Sequence, residues 1–565
     1  MPTIKIEQSL LKWIQARHGA EHDIARINDE LPLLGTDVDK CDSEILEIEI
    51  FPDRPDLLSA ETLAHAIRPF MYGQDSKPEL SVKEGNVSMA VDSSLSNVRP
   101  IILGAIVRGV DIGTTSAEKE LFIKGIMDHQ EKLHFALGRG RRRASIGVHD
   151  LSALAPPFRV VTVDRNYSFI PLAMDSEMSV EEILREHPKG IEYAHLLDGM
   201  DKVPVILDSN NAVLSFPPII NGDHTTVNSN TTDFFIDVTG WDERACEACL
   251  QLICLQMEAR GGIVESVNVT SYNGQSFESP ISNPIEHKVS RELVSNILGW
   301  EFSDEEIKKS INRMGGKFQG GTDMLEVAMP RWRFDILHPI DIVEDLAIGH
   351  GYENLGEAQP IISMDGVPRD DANLMRRVRE CMQGLGLQQV QSLTLSNESD
   401  QFENVRWKPT GEVTVISNPI TIEHTLLRQS ILPSLLRLIA SNRHHELPQS
   451  IYESGYCVRD HHNTTRAAWL VADRDASFAK ARGFVQALLR DLGADMNSVQ
   501  WVETEDENGP WLKGRGGKIK IDGKTVGEFG ELDPVVSEKF ELSVPMHGAE
   551  FDLQTISETI ADPVL

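Results

Sequence analysis

Cysteine is scarce in this chain, with six residues in a sequence of 565. That number is too small for the disulfide framework of a secreted scaffold protein. Only Cys246 and Cys249 form a CxxC pair, and no second pair lies at a spacing typical of zinc. Both thiols fall on one face of a predicted helix together with Leu250, Ile253 and Met257. We therefore predict that they pack in a core and bind no metal.

Long apolar runs are missing as well, since no uninterrupted stretch approaches the length that spans a bilayer. The N-terminal segment lacks the basic-then-apolar pattern of a secretion signal, because Lys5, Glu7 and Lys12 interrupt it. Together these absences predict a cytoplasmic protein that does not bind membranes.

Positive charge is in short supply: 54 Lys and Arg against 87 Asp and Glu give a net charge of −33. Such a charge disfavours unassisted binding to bare nucleic acid, because phosphates are repelled at long range. A partner chain or a local basic cluster would have to compensate. The densest basic run is Arg139, Arg141, Arg142 and Arg143. Two interpretations stay open for it, contact with an RNA backbone or neutralisation of nearby acids and a subunit contact.

The chain is too long for a single core, so three or four domains are expected. We predict a small N-terminal α/β unit at 1–97 and a larger domain at 98–275. A helix-pair unit at 276–355 and a final domain at 356–565 follow. The final domain alternates helices with short strands, which predicts an antiparallel α/β architecture. The segment 359–366 is interpreted as the linker into it.

Three helix starts carry a capping box, in which a hydroxyl and a carboxylate three residues later satisfy each other's backbone N–H groups. The predicted pairs are Thr115 with Glu118, Ser179 with Glu182, and Ser303 with Glu306.

A cluster of carboxylates follows Pro339, a residue suited to the first turn of a helix. On that helix Asp341, Glu344 and Asp345 share one face, and Asp335 lies just upstream. Like charges at this spacing repel, so either a magnesium ion or a solvated acidic face near the helix N-terminus would account for them. The opposite face, directed towards a core, is expected to hold Ile340, Val343, Leu346 and Ala347.

The stretch RWRFDILHPIDIVEDLAIGHGYENL, around this cluster, resembles the signature of the phenylalanyl-tRNA synthetase β-subunit family. It departs from the family pattern at His350, where a tyrosine is usual. The resemblance implies that magnesium is bound by Asp335, Asp341, Glu344 and Asp345. The positions that match the pattern are Arg333, Asp335, Ile336, His338, Asp341, Ile342, Glu344 and Asp345.

Further segments resemble the same family in the same order, including EIEIFPDRPDLLS, LSFPPIING, FFIDVTG and FGELDPVVSEKFEL. The length of the chain is similar to that of the archaeal and eukaryotic members of this family. The resemblance implies an α+β multidomain fold. Its parts would be an N-terminal α/β unit, an editing domain, a winged-helix-like metal-binding domain and a class II catalytic-like antiparallel domain.

The family resemblance also implies an activity shared with a partner. With its α subunit, in an α2β2 heterotetramer, the chain would attach phenylalanine to its tRNA using ATP. In the strand SIYESGYCV, Glu453 is present, but Tyr452 and Ser454 occupy the positions where a class II enzyme has its Arg-x-Glu motif. No Walker-type phosphate loop is found either. ATP and phenylalanine are therefore expected mainly on the α subunit.

The resemblance places an editing pocket in the second domain, where mischarged Tyr-tRNA would be hydrolysed. Ser215, Asp237 and Thr239 supply polar groups that could recognise a hydroxyl and orient water. The alternative is that they are turn and strand-end residues of a purely structural subunit. His149 and Asp150 lie in GVHD without a nucleophile beside them, so we interpret them as a strand-end hydrogen bond.

A DNA-binding role for the helix pair is disfavoured, because the helix that would meet bases begins with Asp304, Glu305 and Glu306. In the final domain Leu432, Leu435 and Leu436 belong to one apolar helix. They lie either in a buried core or at the subunit boundary.

Overall fold

The computed structural model describes residues 2–356, 366–367, 369–504 and 509–561. The chain folds into two compact units, Met1–Gln359 and Pro360–Leu565. Except for Gly366, the predicted linker at 359–366 lies outside the described residues. Among the helices described, none is both long and apolar enough to cross a membrane.

The first part of unit 1 is a three-stranded antiparallel sheet in the order β1-β3-β2, covered by helices. On β3 the alternate residues Leu46, Ile48 and Ile50 are buried in the same core as α1 and α3, and this alternation explains why the sequence predicts the strand. β2, with the sequence TDVDKC, gives little strand signal because Asp is rare in strands. The elements are β1 Thr3–Glu7, α1 Gln8–Arg17, α2 Ile24–Glu30, β2 Thr36–Cys41, β3 Ile45–Ile50 and α3 Ala60–Tyr72.

A ten-stranded mixed sheet forms the centre of unit 1, with the order β12-β11-β10-β7-β4-β14-β5-β13-β6 and with β15 beside β14. β4 pairs in parallel with β14 and β7, so it belongs to this sheet although the sequence division put it before residue 97. The strands are β4 Val82–Val91, β5 Ile101–Arg108, β6 Ala144–Asp150, β7 Phe158–Asp164, β8 Ser168–Phe169, β9 Met178–Ser179, β10 Lys202–Leu207, β11 Val213–Phe216, β12 Ile220–Asn221, β13 Phe234–Gly240, β14 Ile263–Thr270 and β15 Ser276–Ser279, where β8 and β9 form a separate hairpin.

Four helices accompany this sheet: α4 Ser116–Ala136, α5 Val180–Glu186, α6 Pro188–Tyr193 and α7 Glu243–Glu258. The predicted capping boxes at Thr115 and Ser179 are both present. On α7, Cys246 and Cys249 are fully buried free thiols, which confirms the core interpretation. Burial raises the pKa of Cys246 to about 12, so this thiol stays protonated.

The last part of unit 1 packs three helices on a three-stranded antiparallel sheet of order β16-β18-β17. The capping box at Ser303 is present, and α10 begins at Pro339 as predicted. Ile340, expected in the core, is instead 44% exposed, because the buried face of α10 runs through Ile342, Val343 and Leu346. The elements are β16 Ile285–Ser290, α8 Arg291–Leu298, α9 Asp304–Arg313, β17 Lys317–Gly320, β18 Met324–Met329 and α10 Pro339–His350.

Unit 2 is built on a seven-stranded sheet of order β19-β22-β23-β27-β26-β25-β24, antiparallel except for the short β19–β22 pair. α11, α13 and α15 cover one face, and α12 packs with the other. Leu432, Leu435 and Leu436 are fully buried within the unit. The elements are α11 Asp370–Gly384, β19 Gln388–Gln389, β20 Leu395–Ser396, β21 Leu426–Leu427, α12 Leu432–Ser441, β22 Gln449–Arg459, β23 His462–Ala472, α13 Phe478–Asp491, β24 Val499–Glu503, β25 Trp511–Ile521, β26 Lys524–Leu532, α14 Pro534–Lys539, β27 Met546–Asp552 and α15 Leu553–Thr559, with β20 and β21 paired separately.

Candidate functional site

A cavity of about 210 Å³ lies beside β6, β11 and β13 of the large sheet. Two of the three residues predicted for editing, Ser215 and Asp237, line it together. Their positions follow from the sheet: Ser215 lies on β11 opposite Asn221, and Asp237 lies on β13 between Gly104 and Gly147. Both side chains are at least nine-tenths buried. Residues 22 positions apart in the sequence therefore meet in one pocket.

The carboxylate of Asp237 is incompletely satisfied. Its Oδ1 atom is buried and has no hydrogen-bond partner among the described residues. Gly147, the cross-strand neighbour, leaves room for this carboxylate, since an added Cβ at 147 would lie 2.3 Å from Asp237 Oδ2. A side chain at 147 would therefore fill the space that the carboxylate faces.

His149 is a functional candidate whose partner the sequence analysis missed. Its Nε2 atom lies 3.8 Å from Asp237 Oδ1, and its Nδ1 atom lies 2.9 Å from Thr225 Oγ1. The Thr225 hydroxyl donates its hydrogen to the Gly222 carbonyl, so it accepts from His149 Nδ1–H. In the neutral ring Nε2 is then an acceptor, and it is buried without a partner among the described residues. Two unpartnered acceptors side by side favour a ligand that brings an O–H or N–H group.

Thr239 is the third predicted residue, and the structure places it behind the cavity wall. Its Oγ1 atom accepts a hydrogen bond from Arg99 Nε at 2.7 Å and lies 3.0 Å from Ser145 Oγ. Ser145 lines the cavity, but Thr239 does not. Burial lowers the pKa of Arg99 to about 10, so its guanidinium remains charged at neutral pH. Thr239 therefore acts on the pocket only through Ser145 and Arg99.

Arg141 closes another side of the same cavity. This residue is buried, lies 2.6 Å from Glu131 and donates to the carbonyl of Ile219 at 2.9 Å. For Arg141 the neutralisation interpretation is thus confirmed, whereas Arg139 and Arg142 are exposed. Hydrogen bonding from His134, with Arg141 nearby, holds the pKa of Glu131 at about 2.

Asp150, next to His149, has a purely local role. Its carboxylate accepts hydrogen bonds from the backbone N–H and hydroxyl of Ser152 and from the Thr231 hydroxyl. The predicted strand-end hydrogen bond is confirmed for Asp150. His149 instead lies beside Asp237 on the adjacent strand β13, two residues along from its own cross-strand partner Phe235.

The acidic cluster near α10 is organised around a guanidinium. Arg333, which is 3% exposed, forms ion pairs with Asp335 at 2.6 Å and with Asp345 at 2.8 Å. Arg333 lowers the pKa of Asp335 against the opposing effect of burial. Burial, with Asp335 nearby, raises the pKa of Asp345. Asp345 lies on the buried side of α10 and not on a solvated acidic face.

The other two predicted magnesium ligands lie apart from this pair. Asp341 Oδ2 accepts the backbone N–H groups of Leu337 and His338, both at 2.6 Å, and so caps its own helix. Glu344 is exposed. Across the described part of the chain, no three His, Cys, Asp or Glu side chains converge as metal ligands. Arg333 thus pairs with two of the four carboxylates, Asp335 and Asp345, and forms no ion pair with Asp341 or Glu344 among the described residues.

In unit 2, Glu453 is neutralised from within the chain. The Arg428 guanidinium lies 2.6 Å from Glu453 Oε1, and the Ser392 hydroxyl donates to Oε2 of the same carboxylate. Both charged residues are buried. A second buried pair, Arg466 with Glu550 at 2.6 Å, lies on neighbouring strands. No arginine flanks Glu453 in the sequence, and its partner Arg428 lies 25 positions earlier in the chain.

Comparison with known proteins covers most of the chain. Residues 99–265 match the family described as the B3/4 domain, and residues 287–352 match the tRNA synthetase B5 domain. Residues 357–553 match the CLM domain of the phenylalanyl tRNA synthetase beta chain. The described cavity, with Asp237 and Ser215, lies within the B3/4 match.

Relatives of similar length agree with these matches. The phenylalanine–tRNA ligase beta subunit of Archaeoglobus fulgidus is 39% identical over 543 residues, covering 96% of each chain. That of Methanosarcina barkeri is 39% identical over 557 residues, covering 98% of this chain and 99% of that protein. A crystal structure of an N-terminal fragment of the Pyrococcus horikoshii phenylalanyl-tRNA synthetase beta subunit aligns with a TM-score of 0.57 and 31% identity, covering 62% of this chain and 100% of that chain. Nearly the whole sequence is thus accounted for by one family, and the chain belongs to the phenylalanine–tRNA ligase β subunits.

Proposed function

We propose that the chain works with a separate α subunit to attach phenylalanine to its tRNA, and that it does not catalyse this reaction alone. The near-full-length similarity to β subunits supports the partnership. The Arg428–Glu453 pair supports the second part. A class II active site needs arginines that clamp the ATP phosphates, whereas here Arg428 is buried against Glu453.

The test is an aminoacylation assay of the purified chain with its tRNA, ATP and phenylalanine, with and without the α subunit. Charging is expected only when the α subunit is present. Robust charging by the chain alone would contradict the proposal. The same samples, analysed by light scattering, report whether an α2β2 heterotetramer forms.

The cavity beside β13 is proposed to hydrolyse Tyr-tRNA made in error. The carrying observation is the pair of unpartnered buried acceptors, Asp237 Oδ1 and His149 Nε2. A phenol hydroxyl or a water molecule supplies the missing donor, whereas the side chain of phenylalanine does not. A site that must hydrogen-bond a hydroxyl rejects the analogue that lacks it by a large factor, about 10⁴–10⁵ in the best cases.

The discriminating experiment is deacylation of pre-charged Tyr-tRNA and Phe-tRNA by the assembled enzyme. Faster clearance of the tyrosyl ester supports editing. Equal, background rates for both esters would instead support the alternative, a structural subunit without editing. Aminoacylation in the same preparation controls for correct assembly.

We propose from the family resemblance that Asp335, Asp341, Glu344 and Asp345 bind magnesium. Asp341 and Glu344 are the two carboxylates that Arg333 does not engage. Calorimetric titration with MgCl₂ of the wild type and of the Asp341→Asn, Glu344→Gln double variant tests the assignment. Weaker binding in the variant supports it, and unchanged affinity removes these residues from any metal site.

The remaining assignments follow from the same family. We propose that tRNA binds the assembled enzyme, with ATP and phenylalanine mainly on the α subunit, and that the complex acts in the cytoplasm. The four-part division of the chain into 1–97, 98–275, 276–355 and 356–565 is proposed with one adjustment, since the large sheet already begins at residue 82. Limited proteolysis of the purified chain would locate the boundaries.

A further inference from the structure

A second cavity in unit 1 contains a buried positive charge for which the described residues provide no ion-pair partner. The cavity measures about 330 Å³ and is separate from the pocket beside β13. Arg68, on α3, lines it and is 8% exposed. Its Nη1 atom has no hydrogen-bond partner among the described residues, and its Nη2 atom donates to His65 Nδ1 at 3.0 Å.

His65 reinforces the donor character of this site. Because the guanidinium can only donate, Nδ1 of His65 accepts and the ring hydrogen is on Nε2. Burial and the nearby Arg68 lower the pKa of His65 to about 3, so the ring stays neutral in this tautomer. The ring packs edge-on against Trp332, which also lines the cavity. Two N–H groups, on Arg68 and His65, are thus fixed on neighbouring turns of α3.

The acids around the cavity do not neutralise Arg68. Asp56 is occupied by Arg54 at 2.8 Å, and Asp75 and Glu79 are exposed to solvent. Glu258 is the acid that attracts Arg68 electrostatically, but it forms no ion pair with it within 4.0 Å in the described chain. Glu258 also lines the cavity, and burial raises the pKa of its carboxyl.

An unpaired buried guanidinium is costly, and it cannot avoid the cost by losing its proton. Burial lowers the pKa of Arg68 only to about 10, so the charge is retained at neutral pH. Water could hydrogen-bond to Nη1, but it would leave the charge unbalanced. An oxyanion supplies both the hydrogen-bond acceptors and the charge, and planar forked donors suit carboxylates and phosphates.

We propose that this cavity is a binding site for a small oxyanion, a carboxylate- or phosphate-bearing molecule, held by Arg68 and the Nε2–H of His65. The volume lies at the lower end of the range for small-molecule sites, about 300–1,000 Å³. Lys77 also lines the cavity and adds a positive charge to it. The site is independent of aminoacylation and of editing.

The test measures the thermal midpoint and the calorimetric affinity of the purified full-length chain with sodium phosphate or sodium malonate. Sodium chloride at matched ionic strength is the reference. We expect a higher midpoint and saturable binding with at least one of the two oxyanions. Phosphate-selective binding identifies a phosphate ligand, and malonate-selective binding identifies a carboxylate.

Arg68→Met is the diagnostic variant, and Arg185→Gln, which removes an exposed arginine, is its matched control. We expect Arg68→Met to lose at least about tenfold in oxyanion affinity, as expected for a lost charge-assisted contact, and Arg185→Gln to behave as wild type. His65→Phe keeps the charge and serves if Arg68→Met does not fold; it too is expected to bind more weakly. Equal responses of wild type and Arg68→Met, or no response beyond that to chloride, would overturn the proposal.

Discussion

Oδ1 of Asp237 lies 3.8 Å from Nε2 of His149, and neither atom has a hydrogen-bond partner among the described residues. The two residues come from adjacent strands, β13 and β6, and both side chains border the space that the missing side chain of Gly147 leaves open. A rigid sheet thus holds two acceptors in a fixed relation, which is the arrangement needed to recognise a hydroxyl or to orient a water molecule.

Asp237→Ala is expected to slow hydrolysis of Tyr-tRNA by roughly a hundredfold or more, within the range for loss of an acid–base or orienting group. His149→Gln is expected to have a similar effect. Thr239→Ser, which keeps the hydroxyl that accepts from Arg99, should stay close to wild type. Single-turnover deacylation measures all three. The exposed Asp164→Asn is the control, and equal rates for it and Asp237→Ala would remove Asp237 from the site.

Gly147→Ala is expected to abolish editing, because the added methyl group would fill part of the pocket. The new Cβ would lie 2.3 Å from Asp237 Oδ2 and 2.7 Å from His149 Nε2, inside the space proposed for the tyrosine hydroxyl. Gly125→Ala, on α4, is the matched control, because an added Cβ there meets nothing within 4 Å. Deacylation and phenylalanine charging are measured on both. If Gly147→Ala edits normally while remaining folded, the pocket lies elsewhere.

Arg333→Met is expected to destabilise the protein strongly, by about 3–5 kcal/mol. The change leaves Asp335 and Asp345 as buried carboxylates without a counter-ion. The thermal unfolding midpoint of Arg333→Met, compared with that of the exposed control Arg185→Gln, measures the effect. A variant with unchanged unfolding would show that this ion-pair cluster contributes little to stability.

Glu528→Gln is expected to stabilise unit 2 in a pH-dependent way. Burial, with Glu550 nearby, raises the pKa of Glu528 to about 7. The folded chain therefore binds a proton that the unfolded chain releases near pH 4.5, so stability from this group falls as pH rises towards 7. Gln imitates the neutral form, and its advantage should be present at pH 8 and absent at pH 5. Thermal midpoints at both values decide, with the exposed Glu538→Gln as control.

Local signals in the sequence predicted much of this structure. The capping boxes and Pro339 mark helix starts because their hydrogen bonds are made within a few residues. Long-range pairings could not be predicted in the same way. Arg99 reaches Thr239 across 140 positions, and helical spacing did not reveal that Arg333 draws Asp345 inward. Where the partner comes from a distant part of the sequence, residue types alone do not show whether an acidic side chain binds a ligand or forms an ion pair with another residue.

The buried pair of Arg428 with Glu453 has a consequence for how the subunit exists before assembly. Its two opposite charges are held against each other inside unit 2, so this part of the fold has no requirement for a nucleotide as counter-ion. The Arg428 guanidinium therefore already has its counter-ion inside the fold, and packing of this part of unit 2 does not depend on a bound phosphate.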